Sequence, residues 1–216
     1  MKLVLFGAGG QVAQRIAGEA LDRGHDVIGV ARSAKSVRSD NERMIIVEGD
    51  ATDADSVARA SKGADVIINA LSPRPSPSGR PASSLPAAAR ALIDGAKKAG
   101  VKRLVVVGGA GSLEVAPGAR LVDSPTFPPE HKPESLDSAA ALDVYRTSAG
   151  DLDWTFISPA AEFGPGKRTG HYRTSDNALL SDEKGRSFIS YEDYAKALID
   201  EIERPTHPRA RMAVAY

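Results

Sequence analysis

The residues best placed for chemistry stand at the start of the chain, in Gly7-Ala8-Gly9-Gly10-Gln11-Val12-Ala13. An apolar run precedes them and a helical pattern follows. Such a turn can hold a diphosphate. Gly7 permits a tight turn, Gly9 and Gly10 let backbone approach phosphate without a Cβ in the way, and the small Ala13 lets the helix pack close to a sheet. The N–H groups of Gln11 and Val12, at the helix N-terminus, add donors and a partial positive charge. The chemistry implied is binding of a dinucleotide pyrophosphate.

The next strand ends in Val30-Ala31-Arg32-Ser33-Ala34-Lys35. No carboxylate stands there to accept from a ribose 2′-hydroxyl. Arg32 can pair with a 2′-phosphate and stack on adenine, Lys35 adds charge, and Ser33 can donate a hydrogen bond. The expected cofactor is therefore NADP(H), with NAD(H) the poorer fit. In Gly49-Asp50-Ala51-Thr52-Asp53, Asp50 is placed to accept from the adenine amino group beside Ala51, and Asp53 or Thr52 to cap a helix. Three further strand ends are expected around the nicotinamide: Ala70, Leu71 and Ser72; Gly108 and Gly109; and Ser158, Pro159 and Ala160. Phe163 would form an apolar wall. Candidate proton donors are His131, whose ordinary pKa near 6.5 suits the task, Ser112, Glu162 and Tyr172. His25 and His207 read as solvated, and the four histidines share no metal-ligand spacing.

These residues need elements to position them. Apolar runs at 3–6, 27–31, 44–47, 66–70, 104–107 and 154–157 are rich in Val, Ile and Leu on successive positions. That is the pattern of strands buried on both faces. Helical spacing fills 12–21, with Gly24 closing the helix, and 53–61, 84–99 and 133–148 follow. The alternation predicts right-handed βαβ crossovers and an α/β, Rossmann-type doubly wound parallel sheet. Segments 72–86 and 108–132 are long, proline-containing loops after strand ends, where open α/β sheets bind ligands. Residues 1–216 read as one dinucleotide-binding domain in which about 160–216 forms a small C-terminal, substrate-side lobe. That lobe holds a helix from Ser190, with Asp193 in a capping-box position, and a short strand over 211–214.

Composition narrows the field. A chain of 216 residues suits one domain. Its 28 basic and 28 acidic residues give no net charge, which argues against nucleic-acid partners. There is no cysteine, so thiol nucleophiles, disulfides and iron–sulfur ligation are excluded. The run at 3–6 stops at Gly7, short of an export-signal core, and no stretch approaches a membrane span. A cytoplasmic protein with a small-molecule partner and no membrane partner is expected. No heptad pattern marks an oligomer contact.

Gly7-x-x-Gly10-x-x-Ala13, the Gly49-Asp50 pair and Ser190-x-x-Asp193-x-Ala195 resemble the extended and atypical short-chain dehydrogenase/reductases. The segments 107–113, 153–159 and 164–170 are similar to an NmrA-like, NAD(P)H-binding bacterial group described as NADH-flavin reductases. The resemblance spans essentially the whole chain. It implies a Rossmann fold, a nicotinamide cofactor and flavin as one acceptor. One departure is plain. The usual Tyr-x-x-x-Lys is missing: Tyr145 has Ala149 four residues on, and Gly108 and Gly109 stand where hydroxyl residues are usual. Alcohol–ketone chemistry by that dyad is disfavoured. Hydride transfer to a flavin, quinone or similar planar acceptor asks less of a protein acid, and an NADP(H)-binding redox sensor without turnover is the alternative. An isomerase that retains its cofactor is a third reading, which the missing dyad also disfavours.

Overall fold

The computed structural model describes residues 1–37, 41–72 and 85–216. All six apolar runs are strands: β1 (Lys2–Phe6), β2 (Asp26–Ala31), β3 (Met44–Glu48), β4 (Val66–Asn69), β5 (Arg103–Val107) and, after a short β6 (Glu114–Ala116) and β7 (Ala119–Arg120), β8 (Asp153–Pro159). Later come β9 (Glu162–Gly164), β10 (Arg173–Ser175), β11 (Phe188–Ser190) and β12 (Ala210–Ala215). The helices are α1 (Gln11–Asp22), α2 (Ala54–Ala60), α3 (Leu85–Ala99), α4 (Lys132–Ser148) and α5 (Tyr191–Glu203).

One eight-stranded sheet runs in the order β10-β12-β8-β5-β4-β1-β2-β3. Every pairing in it is parallel except that of β10 with β12. The alternation of β1 explains why both its faces are apolar. Leu3 and Leu5 enter the core under α1 and α5, while Val4 and Phe6 enter the core under α3 and α4. Two glycines end helices as their positions predict. At Gly24 (φ +85°) the N–H bonds to Leu21 and that of His25 to Ala20, which is the Schellman pattern; Gly100 (φ +74°) repeats it at the end of α3.

The C-terminal segment is divided. β9 and β11 pair in a small separate sheet, but β10 and β12 extend the main one, so the expected lobe at 160–216 is partly the sheet's own edge. Segment 108–132, read as a loop, contains the β6–β7 hairpin and short 3₁₀ turns. Of segment 72–86, residues 73–84 lie outside the described residues. His25 and His207 are not solvated. His25 is 7 % exposed, with Nε2 at 3.0 Å from Glu203 and Nδ1 at 3.3 Å from the Met1 amine. His207 Nδ1 is 3.1 Å from the buried Glu201 carboxylate. Both are drawn in by α5, whose acidic groups a sequence pattern cannot place across the molecule. Trp154 is core, as expected.

Candidate functional site

The strand order reverses at β1, which pairs with β2 on one side and β4 on the other. Ligands of doubly wound sheets bind at the carboxyl ends flanking such a switch. A cavity of about 470 Å³ opens there. Ten residues expected to hold a cofactor line it: Gly7, Gly9, Gly10, Arg32, Ser33, Asp50, Ala51, Ala70, Leu71 and Ser72.

The glycine turn is built by close approach. Gly7 has φ +83°, and a Cβ on it would lie 2.7 Å from the Ala70 carbonyl oxygen. The N–H groups of Gly7 and Ala8 both bond to the Val30 carbonyl, at 3.1 and 3.2 Å, tying the turn to the end of β2. Gly10 is the N-cap of α1 and has no side chain to cap it, and the first turn carries no acid. A helix start without a side-chain cap or a carboxylate suits an anion. Gln11 is exposed and Val12 half-buried at that start.

At the far end of the cavity the second strand turns at Ser33 into a short 3₁₀ segment over Ala34–Ser36. Glu48, at the end of β3, accepts the Ala34 N–H at 3.2 Å and fixes this turn. That carboxylate is the one sequence reading did not weigh, because it comes from the next strand. Arg32 and Lys35 are exposed and form no ion pair among the described residues. Asp50 Oδ1 accepts the Thr52 N–H at 2.8 Å and its hydroxyl at 2.7 Å. Those two bonds, with a smaller contribution from the Arg32 charge, hold the Asp50 carboxyl below the usual range. Asp53 caps α2 by accepting the Asp55 N–H at 3.0 Å. The donor set, the cradle at Gly7 and the basic turn therefore fit a dinucleotide. Gly7, Gly9, Gly10 and the start of α1 would hold the pyrophosphate, and Asp50, Arg32 and Lys35 the adenosine end.

The residues expected around the nicotinamide divide. Gly108 and Gly109 are half-buried, whereas Ser158, Pro159 and Ala160 are covered by the chain; none of the five lines the cavity. The glycines have a physical reason. A Cβ on Gly108 would lie 2.2 Å from the Phe156 ring, and one on Gly109 2.8 Å from Ser138 Oγ. No hydroxyl side chain fits at 108. Phe163 is half-buried, edge-on to Tyr191 at 4.7 Å between ring centres.

The candidate proton donors are not brought together, and none of them lines the cavity. His131 is exposed ahead of α4. Ser112 Oγ accepts from Arg211 Nη1 at 3.0 Å. Glu162 is ion-paired with Arg186 at 2.6 Å, and that hydrogen bond holds its carboxyl below the usual range. Tyr172 donates to Asp200 at 2.6 Å, and burial, with Asp200 beside it, pushes its phenol up. Sequence reading missed the buried pair of Asn69 and Tyr145, whose Nδ2 and hydroxyl are 3.2 Å apart. The available signal was an amide ending an otherwise apolar run, which must find a partner.

A parallel sheet with an uncapped glycine turn at its switch point defines a Rossmann-type dinucleotide-binding protein. Residues 7–205 match the model of the NAD(P)H-binding family, and the chain belongs to that family. It is similar to a Burkholderia pseudomallei structure described as a candidate exported protein, 46 % identical over 100 % of both chains with TM-score 0.89. It is similar also to a candidate epimerase from Bacteroides thetaiotaomicron, 39 % identical over 100 % of this chain and 96 % of that one, TM-score 0.90. A third similar structure is a candidate NADH-flavin reductase from Streptococcus pneumoniae, 34 % identical over 100 % of this chain and 99 % of that one, TM-score 0.83. Among the described residues no helix is long and apolar enough to cross a membrane.

Proposed function

We propose that the chain is an NADP(H)-dependent oxidoreductase that passes hydride to a flavin, quinone or similar planar small molecule. The carrying observation is the cavity at the switch point, with the uncapped start of α1 at one end and, at the other, Arg32, which forms no ion pair among the described residues. When bound, the nicotinamide would supply the hydride, which no amino-acid side chain can supply. The chain's own part is to hold the dinucleotide. Tyr145 is wholly buried and its phenol is pushed up by burial, so it does not replace the absent Tyr–Lys pair. An acceptor that takes its proton from water fits this arrangement. The similarity to a candidate NADH-flavin reductase supports the same acceptor class.

The test is steady-state oxidation of NADPH and NADH with FMN and with quinones. Turnover with a preference for NADPH supports the proposal. Tight NADPH binding with no turnover on any planar acceptor overturns it and favours the sensor reading. That reading draws on Ser112 and Glu162 being occupied in structural bonds. It predicts that partner binding or proteolysis differs between NADP⁺ and NADPH.

A further inference from the structure

The β4–α3 connection meets the cavity at both its ends, and one helix, α4, reaches both: the first through Asn69 of β4, the second directly. Leu71 and Leu85 both line the cavity. At the first end Asn69 Oδ1 accepts the Leu71 N–H at 3.1 Å, while Asn69 Nδ2 donates to the Tyr145 hydroxyl at 3.2 Å. At the second, Asp137 Oδ2 accepts the Leu85 N–H at 2.8 Å.

The chemistry of the first end is directional. An Asn amide has one accepting end and one donating end. Were the NH₂ to face Leu71, two donors would meet. The Leu71 N–H can only donate and so takes the carbonyl end, and the Tyr145 hydroxyl accepts from the buried Nδ2 that this leaves, keeping the amide fully partnered and in place. Asn69 is 5 % exposed and Tyr145 0 %, so water has little access to substitute for either. The turn so fixed carries the Ala70 carbonyl, which is the atom pressed against Gly7. A shift at Leu71 is thus passed to the glycine turn. The second anchor stands eight residues earlier on α4, about 12 Å along the axis at 1.5 Å per residue. One rigid helix therefore spans both ends of the rim.

We propose that Tyr145 and Asp137 are positioning residues of the dinucleotide cavity: α4 sets its rim through Asn69 and through the first N–H of α3. The proposal rests on reading that cavity as the dinucleotide site. Its test compares Tyr145→Phe, Asp137→Ala and Asp137→Asn with the unaltered chain. The readouts are the NADPH dissociation constant by fluorescence titration, amide hydrogen exchange at Leu71 and Leu85 without cofactor, and Tm. Losing one such hydrogen bond should weaken NADPH binding about five-fold in Tyr145→Phe and in Asp137→Ala. Exchange should quicken at Leu71 alone in the first variant and at Leu85 alone in the second. Asp137→Asn keeps an accepting oxygen and should restore both affinity and protection. Unchanged affinity and exchange in the two disruptive variants would overturn the proposal, as would a fall in Tm with NADPH affinity of the folded protein intact. If the unaltered chain binds no NADPH, the cofactor reading falls on its own, and the exchange measurements still decide whether α4 anchors the rim.

Discussion

Replacing Gly7 with alanine tests the site where backbone conformation and close approach coincide. At φ +83° an alanine occupies the left-handed region, a strain of about 1–3 kcal/mol. Its Cβ would also meet backbone on the far side. The Ala70 oxygen lies 2.7 Å away, 0.7 Å inside the 3.4 Å at which ordinary contact begins, and the Ala70 carbon lies 2.9 Å away. Neither atom is the end of a flexible side chain, so one of the two segments must move. Taking about 2 kcal/mol in total, and roughly 2–4 °C per kcal/mol for a chain of this size, Tm should fall by about 4–8 °C. Movement of the turn also withdraws backbone donors from the pyrophosphate position. One charge-assisted bond lost, at about 1.5–3 kcal/mol, corresponds to at least a ten-fold weaker NADPH affinity. Thermal unfolding without cofactor and NADPH titration of the folded variant measure the two effects separately. A variant with unchanged Tm and unchanged affinity would refute the argument for both the strain and the site.

Other perturbations separate cofactor recognition from folding. Arg32→Ala should weaken NADP(H) binding by about 1–3 kcal/mol while changing NAD(H) binding much less, as judged by paired titrations; equal losses would sink the 2′-phosphate assignment. Gly95→Ala puts a Cβ 2.4 Å from Val57 at the α2–α3 contact, so it should lower Tm through overpacking of about 1–3 kcal/mol and leave NADPH affinity unaltered in the folded protein. For Asp193, burial pushes the carboxyl up, but hydrogen bonds from Thr169, Tyr216 and Gly170 outweigh it and leave the group below the usual range. The stability it contributes is therefore complete above about pH 4 and is lost as pH falls through the lowered folded value. Asp193→Asn should be less stable at neutral pH and show a flatter decline in acid, measured by denaturant unfolding across that range.

The strands buried on both faces were legible because a parallel sheet under two helix layers needs apolar residues at successive positions, as in β1 and β4. The glycine turn was legible for a related reason: Gly7 answers a local backbone demand. Elements of three residues such as β9, β10 and β11 carry too little pattern to read, and β12 was legible as a strand but not as a member of the main sheet. At the site, the ten expected residues found lining the cavity all follow strand ends, which sequence order locates. Ser158 was misplaced relative to the cavity because its burial depends on what the later chain lays over it. The histidines failed for the same reason. His25 meets Glu203 only after α5 docks beside α1, 178 positions along the chain. Capping was half legible: Ser190 accepts the Asp193 N–H at 3.0 Å as its position predicts, but the Asp193 carboxylate is turned to Thr169 and Gly170 instead of back to Ser190.

The order of β10 and β12 bears on how this edge of the sheet is assembled. β10 is made before β12 yet lies outside it, so β10 has no sheet partner until β12 has entered beside β8. Until then the free edge of β8 is an unpaired template, open to strands of other nascent chains. Entry of β12 thus covers the edge of β8 and at the same time gives the earlier-made β10 its place, so two unpaired strands are resolved in one step.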